Sequence, residues 1–325
     1  MDNVNVAVVG AGYWGKNLVR VFGELGALAA VCDADAELAQ RLASEHGAVG
    51  RSFEEVLADP DVAAVAIAAP ATLHASLAMA ALEAGKHVFV EKPLALRVAD
   101  AIPVVELAEA QGLTLMVGHL LQYHPGFLAV RDRVATGAIG ELQYLYSNRL
   151  NLGKIRREED ILWSFAPHDL SMILSIAGTA PDSVTCLGAN FLSQDIADVT
   201  TTHLSFPGGI KAHVFVSWLH PFKEQRLVVV GSEGMITFDD GLPLQEKVQL
   251  HGHRVDWVDG IPVPTKGVGE PLELPAAEPL RLELQHFLDC VATGMAPRTD
   301  GREGLAVLSV LERATSSMLE GSVQR

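Results

Sequence analysis

Cysteine is scarce: Cys32, Cys186 and Cys290 are the only three in 325 residues, and no two stand at a metal-binding or redox-pair spacing. That excludes a core stapled by disulfides and fits small buried thiols in a reducing compartment. No uncharged apolar run approaches the roughly 20 residues needed to span a bilayer. No basic stretch precedes an apolar signal region either, since Met1-Asp2-Asn3-Val4-Asn5 leads straight into a strand-like segment. The chain therefore reads as soluble and cytoplasmic, with no membrane partner. Basic residues are in deficit, 24 against 40 acidic ones for a formal net charge of −16, which argues against a nucleic-acid surface. An anionic substrate stays open, because a few local cations outweigh a diffuse field screened over roughly 8 Å. The twelve histidines form no compact ligand set; His251 and His253 are a pair without neighbours, and no metal is expected. There is no internal repeat.

What the chain does have is apolar content, 49% over a length that fits two domains of ordinary size. The first 120 residues repeat one rhythm. Short β-branched runs at 4–9, 28–32, 64–68, 87–90 and 113–117 alternate with amphipathic segments at 15–25, 36–46, 74–84 and 99–111. Alternation of this kind predicts parallel pairing with right-handed crossovers, hence a doubly wound α/β sheet. After residue 120 the rhythm changes: a helix at 125–136, a strand at 142–150, a charged loop at 154–160 and a helix beginning around Ala166. Strand-like runs at 184–189, 200–206, 210–218, 226–230 and 235–239 then follow one another with no helix between, predicting a large, open, mostly antiparallel sheet. Residues 260–279 hold five prolines and three glycines and read as an extended surface excursion. Helices at 280–293 and 302–319 close the chain. Domain 1–120 is thus α/β and domain 121–325 α+β, with the option that the terminal helices pack back on the first.

Gly10-Ala11-Gly12-Tyr13-Trp14-Gly15 sits directly between the first strand and the first helix. A tight turn, close backbone approach to a pyrophosphate and close helix–strand contact each need one of those glycines. The helix N-terminus then offers unpaired N–H groups to the anion. Asp33 ends the second strand, where a carboxylate accepts the ribose hydroxyls and repels a 2′-phosphate, so the expected cofactor is NAD. Its alternative role is to cap the helix starting at Ala36. Glu91-Lys92-Pro93 ends another strand, which points Lys92 toward the ligand side of such a sheet.

These motifs, followed by a histidine-bearing helix in a second domain, resemble the GFO/IDH/MocA family of oxidoreductases over essentially the whole chain. The resemblance implies a Rossmann first domain and places Lys92 beside the nicotinamide and the reacting carbinol. It also implies a cis Lys92-Pro93 bond, a nicotinamide contact from Glu91, and further cofactor contacts from Tyr13, Trp14, Pro70 and His74. The family's second-domain motif carries an aspartate four residues before a histidine. In Trp163-Ser164-Phe165-Ala166-Pro167-His168-Asp169 the histidine is His168, but Ser164 stands at the aspartate's position. Lys92 and His168 are therefore the two catalytic candidates, with Asp169 either orienting or capping. Pro167 suggests a first helical turn, whose positive end would keep the imidazole of His168 neutral. As the base, Lys92 must be lowered from near 10.4, whereas His168 starts near 6.5; either takes the proton, or they share it.

The stretches 118–125 and 163–173 resemble the branch of the family that oxidises UDP-N-acetylhexosamines at C3. That implies UDP-N-acetylglucosamine as substrate, with the uronate-specific homologues second, and a 3-keto product passed to an aminotransferase for lipid A or surface polysaccharide. Arg149, Lys154, Arg156 and Arg157 lie on the strand and loop preceding His168, where they are placed to meet a diphosphate; for the three loop residues the alternative is a solvated charged loop. His119, Tyr123 and His124 are candidates to line the sugar pocket; ordinary packing is the alternative for Tyr123. Both faces of the run 214–218 are partly apolar, which predicts pairing of sheets into a homodimer or homotetramer. The rival readings are an NAD-binding regulator that has lost catalysis, and another enzyme class on the same scaffold.

Overall fold

The computed structural model describes residues 4–322. Met1, Asp2 and Asn3, which carried the reading of the N-terminus, lie outside the described residues. The chain divides into two compact units, one of residues up to Tyr123 together with Glu278–Leu308, the other of His124–Ala277 together with the residues from Ser309 on.

In the first unit, β1 (Val6–Val9), α1 (Gly15–Glu24), β2 (Leu28–Cys32), α2 (Ala36–Glu45), β3 (Val49–Gly50), α3 (Phe53–Ala58), β4 (Ala64–Ile67), α4 (His74–Glu83), β5 (His87–Glu91), α5 (Val98–Gln111) and β6 (Leu115–Gly118) follow in order. The strands form one sheet in the order β3-β2-β1-β4-β5-β6, and every pairing is parallel. All four residues of β1 are buried, as the unbroken sequence Val-Ala-Val-Val requires of a strand covered on both faces. In α1, Leu18, Val19, Val21 and Phe22 recur at helical spacing and bury one stripe on that sheet. Two short elements escaped the sequence reading, β3 and α3, the latter announced by a capping box between Ser52 and Glu55.

The second unit contains α6 (Pro125–Ala135), β7 (Leu142–Leu150), α7 (Ile161–Ala177), β8 (Ser183–Ala189), β9 (Val199–Ser205), β10 (Lys211–Ser217), β11 (Glu224–Gly231), β12 (Met235–Asp239), β13 (Val248–His251), β14 (Arg254–Val258), β15 (Ile261–Thr265) and β16 (Gly269–Pro271). Eight of the strands make a sheet in the order β16-β13-β12-β11-β7-β10-β9-β8. Its pairings are antiparallel except β7 with β10. α6 and α7 pack on one face, burying Leu145, Val214, Val216 and Leu227. The face turned away carries Tyr144 and Tyr146 of β7, His203 of β9 and His213 and Phe215 of β10. Tyr146 stacks on His213 with ring centroids 5.3 Å apart, and the Tyr144 hydroxyl lies 2.5 Å from His213 Nδ1.

α7 corrects an expectation. It begins at Ile161, where the Asp160 carboxylate accepts the Trp163 N–H at 3.0 Å as the cap, and Pro167 lies in its interior. His168 is therefore at mid-helix, and the argument from a helix N-terminus does not apply to it. The stretch 260–279 is also more ordered than an excursion. β14 and β15 form a separate hairpin, exposed at all ten positions, around Asp259 (φ 52°) and Gly260 (φ 77°). That two-residue loop with both φ positive is the turn that matches hairpin twist.

The last two helices, α8 (Pro279–Thr293) and α9 (Gly301–Ser322), follow. α8 lies in the first unit, with Leu284 and Phe287 in its core and the Phe287 ring 5.8 Å from that of Phe89. α9 starts in the first unit, and its later turns belong to the second. No helix among the described residues is long and apolar enough to cross a membrane.

Candidate active site

The glycine loop shows why its residues are glycines. Gly10 has φ 92°, and a Cβ there would lie 2.7 Å from the Ala68 and Ala69 backbone. At Gly15 a Cβ would fall 1.8 Å from the Gly10 carbonyl oxygen. Around Gly12, by contrast, nothing lies within 4 Å of a Cβ position. The backbone there is open to an approaching pyrophosphate, so this loop fits a dinucleotide. Asp33 is tied to the same loop, its Oδ2 accepting the Ala11 N–H at 2.7 Å and its Oδ1 the Asp35 N–H at 2.9 Å. Capping of α2 falls to Asp35, which accepts the Leu38 N–H at 3.0 Å. Asp33 is thus held in place as a carboxylate beside the glycines.

Glu91 ends β5 and Lys92 follows it, and the Lys92-Pro93 peptide is cis. The Trp14 indole Nε1–H donates to Glu91 Oε1 at 2.6 Å, joining the glycine loop to this strand end. Burial pushes the Glu91 carboxyl up to about 7, while the Trp14 hydrogen bond and the Lys92 charge pull it down. His74 is buried under the turn that follows, with Nδ1 2.7 Å from the Pro93 carbonyl and Nε2 2.8 Å from that of Ala69. Both ring nitrogens are engaged with backbone, so His74 braces the Lys92-Pro93 turn; burial lowers its pKa. Pro70 directly precedes the short helical turn leading to α4 and is exposed.

His119 is buried, with Nδ1 2.6 Å from Glu303 Oε2 of α9. Tyr123 takes its packing alternative and is corrected as a pocket residue. It is 1% exposed, its hydroxyl lies 3.0 Å from Thr299 Oγ1, and the Arg298 guanidinium sits 4.9 Å over its ring. Burial raises its pKa.

In the second unit, Ser164 and His168 are four apart on α7 and share a face. Ser164 is buried and His168 half-buried. Asp169, at 1% exposure, neither caps nor faces solvent. It accepts from Arg149 Nε at 2.6 Å and from the Ser147 hydroxyl at 2.5 Å, which clamps α7 to β7. The Arg149 guanidinium is committed to that pair, an arrangement sequence reasoning had not foreseen. Of the loop arginines, Arg156 pairs with Glu159 at 3.0 Å and Arg157 is exposed.

Residues 4–119 match the oxidoreductase family with an NAD-binding Rossmann fold, and residues 127–237 the GFO/IDH/MocA C-terminal domain. The chain belongs to the GFO/IDH/MocA oxidoreductase family, and its cofactor is NAD. It is 27% identical over 312 residues to the UDP-N-acetylglucosamine 3-dehydrogenase of Acidithiobacillus ferrooxidans, covering 95% of each chain. A solved structure of that enzyme superposes with a TM-score of 0.87 over 100% of both chains at 26% identity. The scyllo-inositol 2-dehydrogenase (NAD(+)) of Bacillus subtilis is 29% identical, covering 98% of this chain and 95% of its own. The 2,7-anhydro-N-acetylneuraminate hydratase of Escherichia coli is 28% identical, covering 73% and 68%.

Proposed function

We propose that this protein is an NAD-dependent dehydrogenase of a nucleotide-activated sugar, oxidising the C3 hydroxyl of a UDP-N-acetylhexosamine with UDP-N-acetylglucosamine first. The observation that carries the dehydrogenase reading is the join of the glycine loop to Glu91-Lys92 through Trp14. The likeness along 95% of both chains to an enzyme named for that sugar nucleotide supports the substrate. NAD⁺, when bound, accepts a hydride. Gly12 and the start of α1 receive its pyrophosphate, and Asp33 accepts ribose hydroxyls while repelling a 2′-phosphate, which favours NAD over NADP. Lys92 takes the hydroxyl proton. Its charge must be weakened for that task. His168 is the second candidate for the proton.

The 3-keto product is then a substrate for an aminotransferase. A second copy of the chain covers the Tyr146, His213 and Phe215 face of the large sheet. The test follows reduced nicotinamide by absorbance with NAD⁺ and a panel of UDP-sugars, coupled to a 3-aminotransferase and an amino donor. Turnover with UDP-N-acetylglucosamine that is lost in Lys92→Ala supports the reading. Binding of NAD⁺ without turnover of any UDP-sugar overturns the substrate. Conversion of a sugar with no net reduced cofactor would favour the chemistry named in the hydratase relative.

A further inference from the structure

A second carboxylic acid lies behind Glu91, and the reaction as described does not use it. Glu283 of α8 is 1% exposed, and no donor among the described residues reaches either of its carboxyl oxygens. It stands one helical turn before Phe287, whose ring packs on Phe89 of β5. Phe89 and Glu91 are two apart and share a face of β5. α8 also contacts the turn 120–123, where the Glu283 charge acts on Tyr123, and that turn follows Gly118, the β6 partner of Glu91; Glu283 therefore lies at the Glu91 end of β5. An unpartnered buried carboxylate would be prohibitively costly, whereas a neutral acid is not. Accordingly burial, and then the Glu91 charge, raise the Glu283 carboxyl well above the ordinary range.

We propose that Glu283 is a positioning residue: it keeps a proton at working pH, and its neutral O–H supports the charge on Glu91 beside Lys92 and Trp14. The inference rests on the dehydrogenase reading. With Glu283 neutral, one negative charge rather than two opposes loss of the Lys92 proton, which lets the amine serve as a base closer to neutrality. The other groups around the pair are Lys92 and His119, whose charges lower Glu91, the Glu303 partner of His119, and Tyr123 with Arg298 and His286 against its ring.

The protein alone provides the test, without cofactor or substrate. Infrared difference spectra at about pH 8, where ordinary carboxyls are ionised, should show a protonated carboxylic acid in the wild type that Glu283→Gln removes. Because Trp14 donates to Glu91, its indole N–H resonance reports the Glu91 charge, and Trp14→Phe assigns it among the four tryptophans. That signal should titrate near 7 in the wild type. Glu283→Leu, which lacks any donor, should move the midpoint up by about one unit. Glu283→Gln, whose amide can donate, should restore it to within a few tenths. Absence of the infrared band, its survival in Glu283→Gln, or an unmoved midpoint in Glu283→Leu overturns the inference; if the leucine variant does not fold, the glutamine spectra decide. Failure of UDP-sugar turnover would sink the substrate, and failure of any sugar to reduce NAD⁺ the dehydrogenase reading; both would leave these spectra as they are.

Discussion

On the proposed role, removing the Lys92 amine takes away the proton acceptor without disturbing the glycine loop. Lys92→Ala should therefore lower kcat by about 10²–10⁴-fold while NAD⁺ affinity, read by calorimetry, stays within a few-fold of the wild type. Glu91 yields a stability prediction with a definite sign. Its carboxyl titrates at an ordinary 4.5 unfolded and about 7 folded. Between those values the native state holds a proton that the unfolded chain has lost, so stability falls as pH rises through that window. Glu91→Gln abolishes that cost. Its melting temperature should exceed the wild type's above pH 7, by the equivalent of up to about 3 kcal/mol at roughly 1.4 kcal/mol per pKa unit, and the advantage should vanish below about pH 5. An unchanged difference across the range would show that the charge on Glu91 is not what burial opposes. At this scale the glycines and Asp33 were legible, because their spacing encodes backbone geometry. Tyr123 was not, since an aromatic beside a pocket motif and one in a core look alike in sequence. Glu283 was readable in principle, for Leu280, Leu284 and Phe287 put its position on the buried face of α8.

Between elements, α7 and β7 are held by a buried ion pair that sequence did not reveal. Arg149 and Ser147, two apart on β7, both reach Asp169. Arg149→Ala leaves a buried carboxylate uncompensated and should cost about 3–5 kcal/mol, measured as a drop in denaturant midpoint. Asp169→Asn in the same background should recover part of that loss. If the single variant is as stable as the wild type, the clamp is dispensable. Two parallel signals were legible in this unit, the apolar alternation of β7 to β12 and the Pro125 helix start. The start of α7 was misplaced because Pro167 resembled a first-turn proline, while the true signal was Asp160 capping Trp163. β15 and β16 were missed for a related reason: Pro262, Pro264 and the glycines suggest a loop, yet an edge strand tolerates proline where no donor is required.

At the scale of the molecule, cofactor binding and self-association are the measurable properties. NAD⁺ at about 100 times its Kd should stabilise the native state by about 2.7 kcal/mol, and Asp33→Ala should abolish most of that shift in thermal melts. On the open sheet, Phe215→Asp should turn a dimer or tetramer into monomers in sedimentation; a wild type that is monomeric at micromolar concentration would remove that partner. The hairpin of β14 and β15 bears on a different hazard. Val258 pairs with Ile261 across the two-residue turn, so Asp256 with Val263 and Arg254 with Thr265 exchange the inward hydrogen bonds. Pro262 and Pro264 occupy the intervening positions, whose backbone points outward. A stray strand arriving at that edge meets carbonyl oxygens but no N–H at either place, and cannot zip on. Val255 and Trp257 leave this arm sticky on one side, and their outward N–H groups lie on β14, so the prolines silence only the β15 border. Strand addition to this arm is therefore one-sided: a chain that meets β15 finds no ladder to extend.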